Sequence, residues 1–265
     1  TRTVMPTNKD TRPGTPSGTA EPTPPVYQLT IIGGFTDAFH FYPVIVRDSI
    51  ATIYLHNNML EYGHTYYVTI DNGVLNLADG SFQGVTKEDE WVFTTKSDMP
   101  ELSDTLIVDV AGKGDFNTVQ GALDFIPDFN EQQTVILVNP GDYEELVYTR
   151  NKWHVKIKGA GMADTKVHYA NNEVFNPHPL TVKTNEWPGT FPSRRAAFML
   201  DNCKDIVIED MTIATDLKGQ AEGLLINGER IALYRVHIIG SGDALQANGT
   251  TVSYTHLTLP TKLEV

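Results

Sequence analysis

Short runs rich in β-branched and aromatic residues recur over residues 27–96. They occur at 28–32, 41–46, 51–56, 66–70 and 91–95. Gly, Asn and Asp residues separate these runs, as is usual for tight turns between strands. Regularly spaced short strands are typical of a β-sandwich. We therefore predict a small all-β module over residues 27–97.

The hydrophobic pattern changes after a polar segment at 97–103. Apolar residues then recur at helical spacing over 118–126, where Pro127 ends the pattern. Further apolar runs predict buried strands, at 106–110, 134–138, 154–157, 167–169, 197–200, 206–213, 224–226 and 231–239. A second domain, built from one short helix and many strands, follows from this pattern.

A repeat with a 25-residue offset indicates how these strands are arranged. The run 206–213 aligns with 231–238, and Asn202 and Asn227 each precede a turn. A period of this size, with one apolar strand pair per repeat, is typical of a stacked solenoid. We therefore predict an all-β fold in which a right-handed parallel β-helix follows a partial sandwich. Residues 171–195 interrupt the repeat and predict a long loop that walls a groove.

Composition and charge narrow the function classes. The chain has 265 residues, 40% of them hydrophobic, and a formal net charge of −13. No basic block and no long apolar run interrupt it, so we expect neither nucleic acid nor a membrane as partner. A densely anionic ligand is also disfavoured. The single Cys203 excludes an intramolecular disulfide framework, and no metal or other cofactor is expected.

The strongest candidate for chemistry is Asp243, which follows the last predicted strand and lies close to Gly240 and Gly242. A carboxylate between small residues can face a ligand, because glycine permits close approach. On the local residues alone, a simple turn is the favoured interpretation.

Over a longer stretch, the sequence resembles the pectin methylesterase (pectinesterase) family. Gln220-Ala221, Leu224, Gly228 and Arg230 match one family segment, which runs without a gap into a second segment whose aspartate is Asp243. Gly141, Tyr143 and Glu145 match the family's Gly-x-Tyr-x-Glu motif. The resemblance covers about residues 104–250. Separately, 60–68 and 91–95 resemble immunoglobulin-like modules of secreted bacterial enzymes.

The resemblance implies hydrolysis of galacturonate methyl esters in pectin (methyl-esterified homogalacturonan), with release of methanol. It assigns Asp243 as the acid and base, and Gln220 as an amide donor to the oxyanion. Three features depart from the family pattern. Gly242 stands in place of a second glutamine, which Gln246 could replace as a substrate-binding residue, and Ala244 replaces a threonine. The nucleophilic aspartate and the family's arginine fall beyond the matching sequence.

The resemblance also sets expectations for the ends of the chain. Residues 1–26 are rich in Pro, Thr and Gly and predict a linker or disordered segment. We expect the sandwich to be cut at its N-terminal side and residues 252–265, including Glu264, to be foreign to the fold. The fragment is then expected to be inactive, although its parent is a secreted, periplasmic or cell-surface esterase.

Two alternatives stay open. A pectate lyase would need clustered acidic Ca²⁺ ligands, and four acidic residues lie close together in sequence: Asp201, Asp205, Glu209 and Asp210. Alternation along a strand predicts opposite faces for Glu209 and Asp210, and a solvated edge for the group. A non-catalytic polysaccharide-binding protein would share the fold and release no methanol.

Overall fold

A computed structural model describes residues 28–31, 38–55, 60–77, 80–177, 194–256 and 258. The chain divides into two compact units, centred on residues 39–101 and 102–265. The predicted linker at 1–26 lies outside the described residues. Among the described residues, no helix has the length and apolar character needed to span a membrane.

The first unit contains short strands that pair in twos. The strands are β1 (Gln28–Ile31), β2 (Ala38–Phe41), β3 (Val44–Arg47), β4 (Ile50–Ile53), β5 (Thr65–Tyr67), β6 (Asn76–Leu77), β7 (Gly80–Ser81) and β8 (Val92–Thr94). The pairs are β1–β2, β3–β4, β5–β8 and β6–β7. Phe39, Phe41 and Tyr42 are buried. The immunoglobulin-like assignment stays a prediction.

In the second unit, the described residues form one parallel sheet and a single helix. Its elements are β9 (Thr105–Val108), α1 (Val119–Phe125), β10 (Thr134–Val138), β11 (Gly141–Glu144), β12 (Val147–Arg150), β13 (Val155–Lys158), β14 (Thr165–Tyr169), β15 (Phe198–Thr215), β16 (Leu224–Ile239), β17 (Leu245–Ala247) and β18 (Val252–Thr255). All pairings between these strands are parallel.

The pairing divides this sheet into three faces, which identifies a parallel β-helix. Face I stacks β12, 198–201, 224–227 and β17. Face II stacks β9, β10, β13, 206–209, 231–234 and β18. Face III stacks β11, β14, 212–215 and 236–239. The chain visits I, II and III in turn, so each circuit forms one rung. The right-handed sense of the helix stays a prediction.

Apolar ladders fill the interior of the stack. On face II, Leu106, Ile136, Ile157, Ile208 and Leu233 are in register on successive strands and are completely buried. Faces I and III contribute similar ladders to the same core cluster. Because every rung covers its neighbour, burial of apolar surface stabilises the stack rung by rung.

Helix α1 and the Gly-x-Tyr-x-Glu motif close one part of this core. The Thr118 hydroxyl accepts a hydrogen bond from the Gly121 N–H at 3.0 Å and so caps the helix. The Glu145 carboxylate accepts from the N–H groups of Val119 and Gln120, at 2.7 and 2.9 Å. Tyr143 donates its hydroxyl to the Asn139 carbonyl at 2.9 Å. The motif therefore holds the helix on the β-helix, and its role is structural.

The 25-residue repeat is confirmed by the register, since Ile206 pairs with Ile231 and Met211 with Val236. The apolar runs within β15 and within β16 were predicted as separate strands, but β15 and β16 are each one continuous strand. The strands bend at residues with positive φ, namely Asp205 (56°), Asp210 (59°), Arg230 (53°) and Arg235 (52°). The left-handed backbone turns the chain without breaking its pairing.

Two details of the repeat differ from the prediction. Asp201 pairs with Asn227, and Asn202 is an extra residue at a register shift, so Asn202 and Asn227 are not equivalent. Residues 252–255 were expected to be foreign to the fold, yet Val252 pairs with Ile231 in register. That spacing is 21 residues, so a search at a fixed 25-residue period misses this rung. Residues 259–265 lie outside the described residues.

Candidate active site

The candidate site lies where face III connects to face I, which we call the III–I corner. In successive rungs the described residues of this corner are 170–177 with 194–197, then 216–223, then 240–244. Gln220 and Asp243 therefore occupy the same corner of neighbouring rungs. The backbone joins the two loops, because Ala221 and Ser241 exchange N–H···O bonds of 2.9 and 2.7 Å.

Asp243 is exposed at this corner. Its carboxylate makes no hydrogen bond or ion pair with any residue that the structure describes. A carboxylate without a structural partner is available to a ligand. The acid–base role stays a prediction, and the position is compatible with it.

Gln220 is also exposed, and its side chain reaches towards Gly242. A Cβ atom added to Gly242 would lie 3.5 Å from Gln220 Oε1 and 3.2 Å from the Gly219 carbonyl oxygen. The side-chain amide of Gln220 is thus next to the residue that precedes Asp243. Gly242 also has a φ of 87°, which favours glycine.

Gly240 acts differently from the expectation that it leaves room for a ligand. A Cβ atom there would lie 2.1 Å from the Asp243 carbonyl oxygen. This contact is too short for any side chain, so Gly240 lets the loop fold back on itself. The prediction of ligand access at Gly240 was wrong, because the space is occupied by the chain's own backbone.

Glu222 and Arg195 were not identified from the sequence. The Glu222 side chain is fully buried, and Arg195 Nε donates to its two oxygens at 2.7 and 3.0 Å. Burial raises the pKa of Glu222, and the negative charge of Asp243 also raises it, while Arg195 opposes both effects. One signal was present, since an acidic residue directly after Gln220-Ala221 interrupts an apolar strand pattern.

Gln246 joins this group from face I. It is half-buried, and Arg195 Nη2 donates to its Oε1 at 3.2 Å. The structure thus brings Asp243, Gln220 and Gln246 to neighbouring positions around one corner. Glu264, the acidic residue about one rung later, lies outside the described residues.

The four acidic residues considered as Ca²⁺ ligands are all engaged by basic side chains. Their ion-pair partners are Arg150 for Asp201, Arg230 for Asp205, Lys156 and Lys158 for Glu209, and Arg235 for Asp210. Hydrogen bonding to the two arginines lowers the pKa of Asp205 and of Asp210. Burial opposes the ionisation of Glu209, but its lysine partners lower its pKa. This pattern gives no support to a calcium site.

The expectation that Glu209 and Asp210 lie on opposite faces was wrong. Lys158 Nζ lies 2.9 Å from Glu209 and 3.4 Å from Asp210, so both carboxylates meet one ammonium group. Because Asp210 has a left-handed backbone, the alternation of a flat strand fails there. Glu209 is also buried, not at a solvated edge.

One further cluster has the composition of a metal site. Ligand atoms of Glu144, His168 and Asp216 lie within 4.8 Å of one another. His168 Nδ1 is 2.5 Å from Asp216, and Nε2 is 2.9 Å from Asp142. Both ring nitrogens thus face carboxylates at hydrogen-bond distance. This arrangement is an ion-pair network, and we assign no metal to it.

Comparison with known proteins places the chain in a family. The family model described as Pectinesterase matches residues 105–259. Pectinesterase QRT1 of Arabidopsis thaliana is 28% identical over 64% of this chain and 46% of its own length. Probable pectinesterase 67 of the same plant is 33% identical over 34% of this chain and 28% of its own.

Solved structures give similar matches. The pectin methylesterase from carrot is 20% identical, with a TM-score of 0.45 over 56% of this chain and 44% of that one. PemA from Erwinia chrysanthemi is 18% identical, with a TM-score of 0.46 over 60% and 50%. The chain spans less than half the length of the curated relatives named above. Since the family model matches more than half of the chain, the chain belongs to the pectinesterase family.

Proposed function

We propose that the protein hydrolyses the methyl esters of galacturonate units in pectin and releases methanol. The observation that carries this proposal is the exposed carboxylate of Asp243, which has no partner among the described residues and directly follows Gly242, the residue that the Gln220 side chain approaches. Both residues lie at one corner of a β-helix of the pectinesterase family. The site combines a proton-transfer group with a hydrogen-bond donor.

The proposed chemistry divides the work between two carboxylates. One ionised carboxylate attacks the ester carbonyl carbon, and the Gln220 N–H₂ group donates to the oxyanion that forms. The C–O bond to methanol then breaks, and protonated Asp243 gives its proton to the departing oxygen. Asp243 next takes a proton from water, which hydrolyses the acyl intermediate and frees the nucleophile. The family resemblance puts that nucleophile on a later rung.

The charge of the chain suits this substrate. A net charge of −13 repels fully de-esterified polygalacturonate, whereas methyl esterification removes charge from the polymer. We infer that the enzyme acts on esterified stretches. Since pectin is an extracellular polymer, we also propose that the protein acts outside the cytoplasm.

The direct test is methanol release by the full-length protein from highly methyl-esterified pectin. We expect release that persists in EDTA, with no unsaturated sugar ends among the products. Calcium-dependent formation of unsaturated ends from de-esterified polymer would instead identify a lyase. Binding of pectin without any methanol would identify a non-catalytic protein, for which the loss of the glutamine at position 242 is the favouring observation.

A further inference from the structure

Arg195 is held between three side chains at the III–I corner. Its Nε atom donates to both oxygens of buried Glu222, and its Nη1 lies 3.7 Å from Glu173 Oε2. The remaining Nη2 donates to Gln246 Oε1 at 3.2 Å. Because Glu222 and Glu173 hold the Nε and Nη1 sides of the planar guanidinium, the direction of the bond from Nη2 is also set.

This contact determines how the Gln246 amide is oriented. Arginine only donates hydrogen bonds, so the amide oxygen of Gln246, not its nitrogen, must face Arg195. The N–H₂ group then points away from Arg195. No residue that the structure describes accepts a hydrogen bond from it. Gln246 therefore has two donor hydrogens in a defined direction.

Backbone contacts between two rungs keep Glu222 and Gln246 near Asp243. The Gly223 N–H donates to the Ala244 carbonyl at 3.0 Å, and Leu225 is paired in register with Gln246. Glu222 is near enough to Asp243 for the charge of Asp243 to act on it. At the same corner, Gly242 carries no side chain that could donate.

We propose that Glu222 and Arg195 are positioning residues, which fix Gln246 so that its N–H₂ group donates to the ester carbonyl oxygen beside Asp243. Gln246 thereby supplies the second amide donor that Gly242 lacks. This inference rests on the proposed function and assigns the substrate contact of Gln246 within that site. It also accounts for a fully buried carboxylate, Glu222, at the III–I corner.

The first test is Gln246→Leu in the full-length protein, with Asp243→Asn as the reference. Removal of an oxyanion donor lowers kcat by about 10²–10³-fold, with KM little changed. We expect that result for Gln246→Leu. A kcat within threefold of wild type, while Asp243→Asn abolishes methanol release, would overturn the inference and leave the proposed function intact.

The positioning roles are tested with the double variant Arg195→Met/Glu222→Met. Replacing both members of a buried ion pair by apolar residues preserves packing and often preserves stability. If the pair is only structural, this variant keeps a normal kcat. We expect kcat to fall by at least tenfold at an unchanged melting temperature, and Gln246→Leu to add little in that background.

An NMR measurement, which does not depend on activity, separates the proposed function from the proposed orientation of Gln246. In full-length protein labelled with ¹⁵N-glutamine, Gln246→Leu identifies the side-chain amide signals of Gln246. We expect the two amide proton shifts in wild type to differ from free-glutamine values and to move towards those values in the double variant. Free-glutamine shifts already in wild type would overturn the inference. If wild type releases no methanol yet shows fixed shifts, the proposed function fails and the orientation by Arg195 stands.

Discussion

The corners of the β-helix are of two kinds. Within β15 and β16, the I–II and II–III corners are bends at individual residues with positive φ, and Asp205–Arg230 and Asp210–Arg235 bridge successive rungs. At the III–I corner, whole loops separate the strands, and Asp243 has no described partner. The comparison shows that carboxylates committed to the fold are paired, whereas the carboxylate proposed for chemistry is not.

The largest expected effect is on activity, from Asp243→Asn. This isosteric change should lower methanol release by about 10²–10⁴-fold, because a positioned acid and base is lost. The melting temperature should not change, since no described residue depends on that carboxylate. The same substitution at Asp205 is the matched control and should keep full activity. Near-wild-type release by Asp243→Asn would refute the assignment.

The next largest effect is the pH dependence of stability that Glu145 contributes. Burial raises the pKa of this carboxyl from 4.5 to about 7. Since the folded pKa exceeds the unfolded one, its contribution to stability is fully present below pH 4.5 and is lost as the pH rises through 7. The loss is on the order of 3 kcal/mol. Urea unfolding at pH 4.5 and pH 8 should show this slope in wild type and lack it in Glu145→Gln.

A smaller loss of stability is expected from Asp201→Asn. The Asp201 side chain is fully buried and accepts a hydrogen bond from Arg150 Nε at 2.5 Å. Removing its charge weakens that bond and should cost about 1–3 kcal/mol of unfolding free energy. Asp205→Asn should cost less, because Asp205 and Arg230 are partly exposed. Equal losses for the two variants would contradict the ranking by burial.

The smallest effect is the coupling energy between Asp205 and Arg230, a partly exposed ion pair at a corner of the β-helix. A double-mutant cycle over Asp205→Asn and Arg230→Gln should give about 0.2–1 kcal/mol, and less in high salt. The fold lowers the pKa of Asp205, whereas it raises the pKa of Glu145. The contribution of Asp205 is therefore present above the ordinary Asp pKa and is lost as the pH falls through the lowered value.

Local sequence signals identified much of the fold. The helix predicted at 118–126 is observed as Val119–Phe125, and the strand predicted at 134–138 has the same bounds. Strands β11 and β12 were missed, because they are four residues long and carry polar side chains. The continuity of β15 and β16 was missed because residues other than glycine uncommonly adopt a left-handed backbone.

The candidate site was only partly accessible to sequence reasoning. Asp243 and Gln220 were identified through their ungapped spacing, and their catalytic roles stay predictions. The contacts of Arg195 were not foreseen, because they join residues 27 and 51 positions apart. Such pairs depend on how rungs stack, and Arg195 follows a stretch of sequence that carries no repeat pattern.

The one-rung offset of the pairing has a consequence for the order of folding. Each strand of face II finds its partner about one circuit away in the chain, such as Ile206 and Ile231 at a separation of 25 residues. Every such pairing joins neighbouring circuits of the chain, so no strand has to wait for a distant part of the sequence before it can pair. Helix α1 and β9 come first in this unit and already cover apolar surface. We therefore expect assembly to proceed as the chain is synthesised, with each finished rung acting as the template for the next.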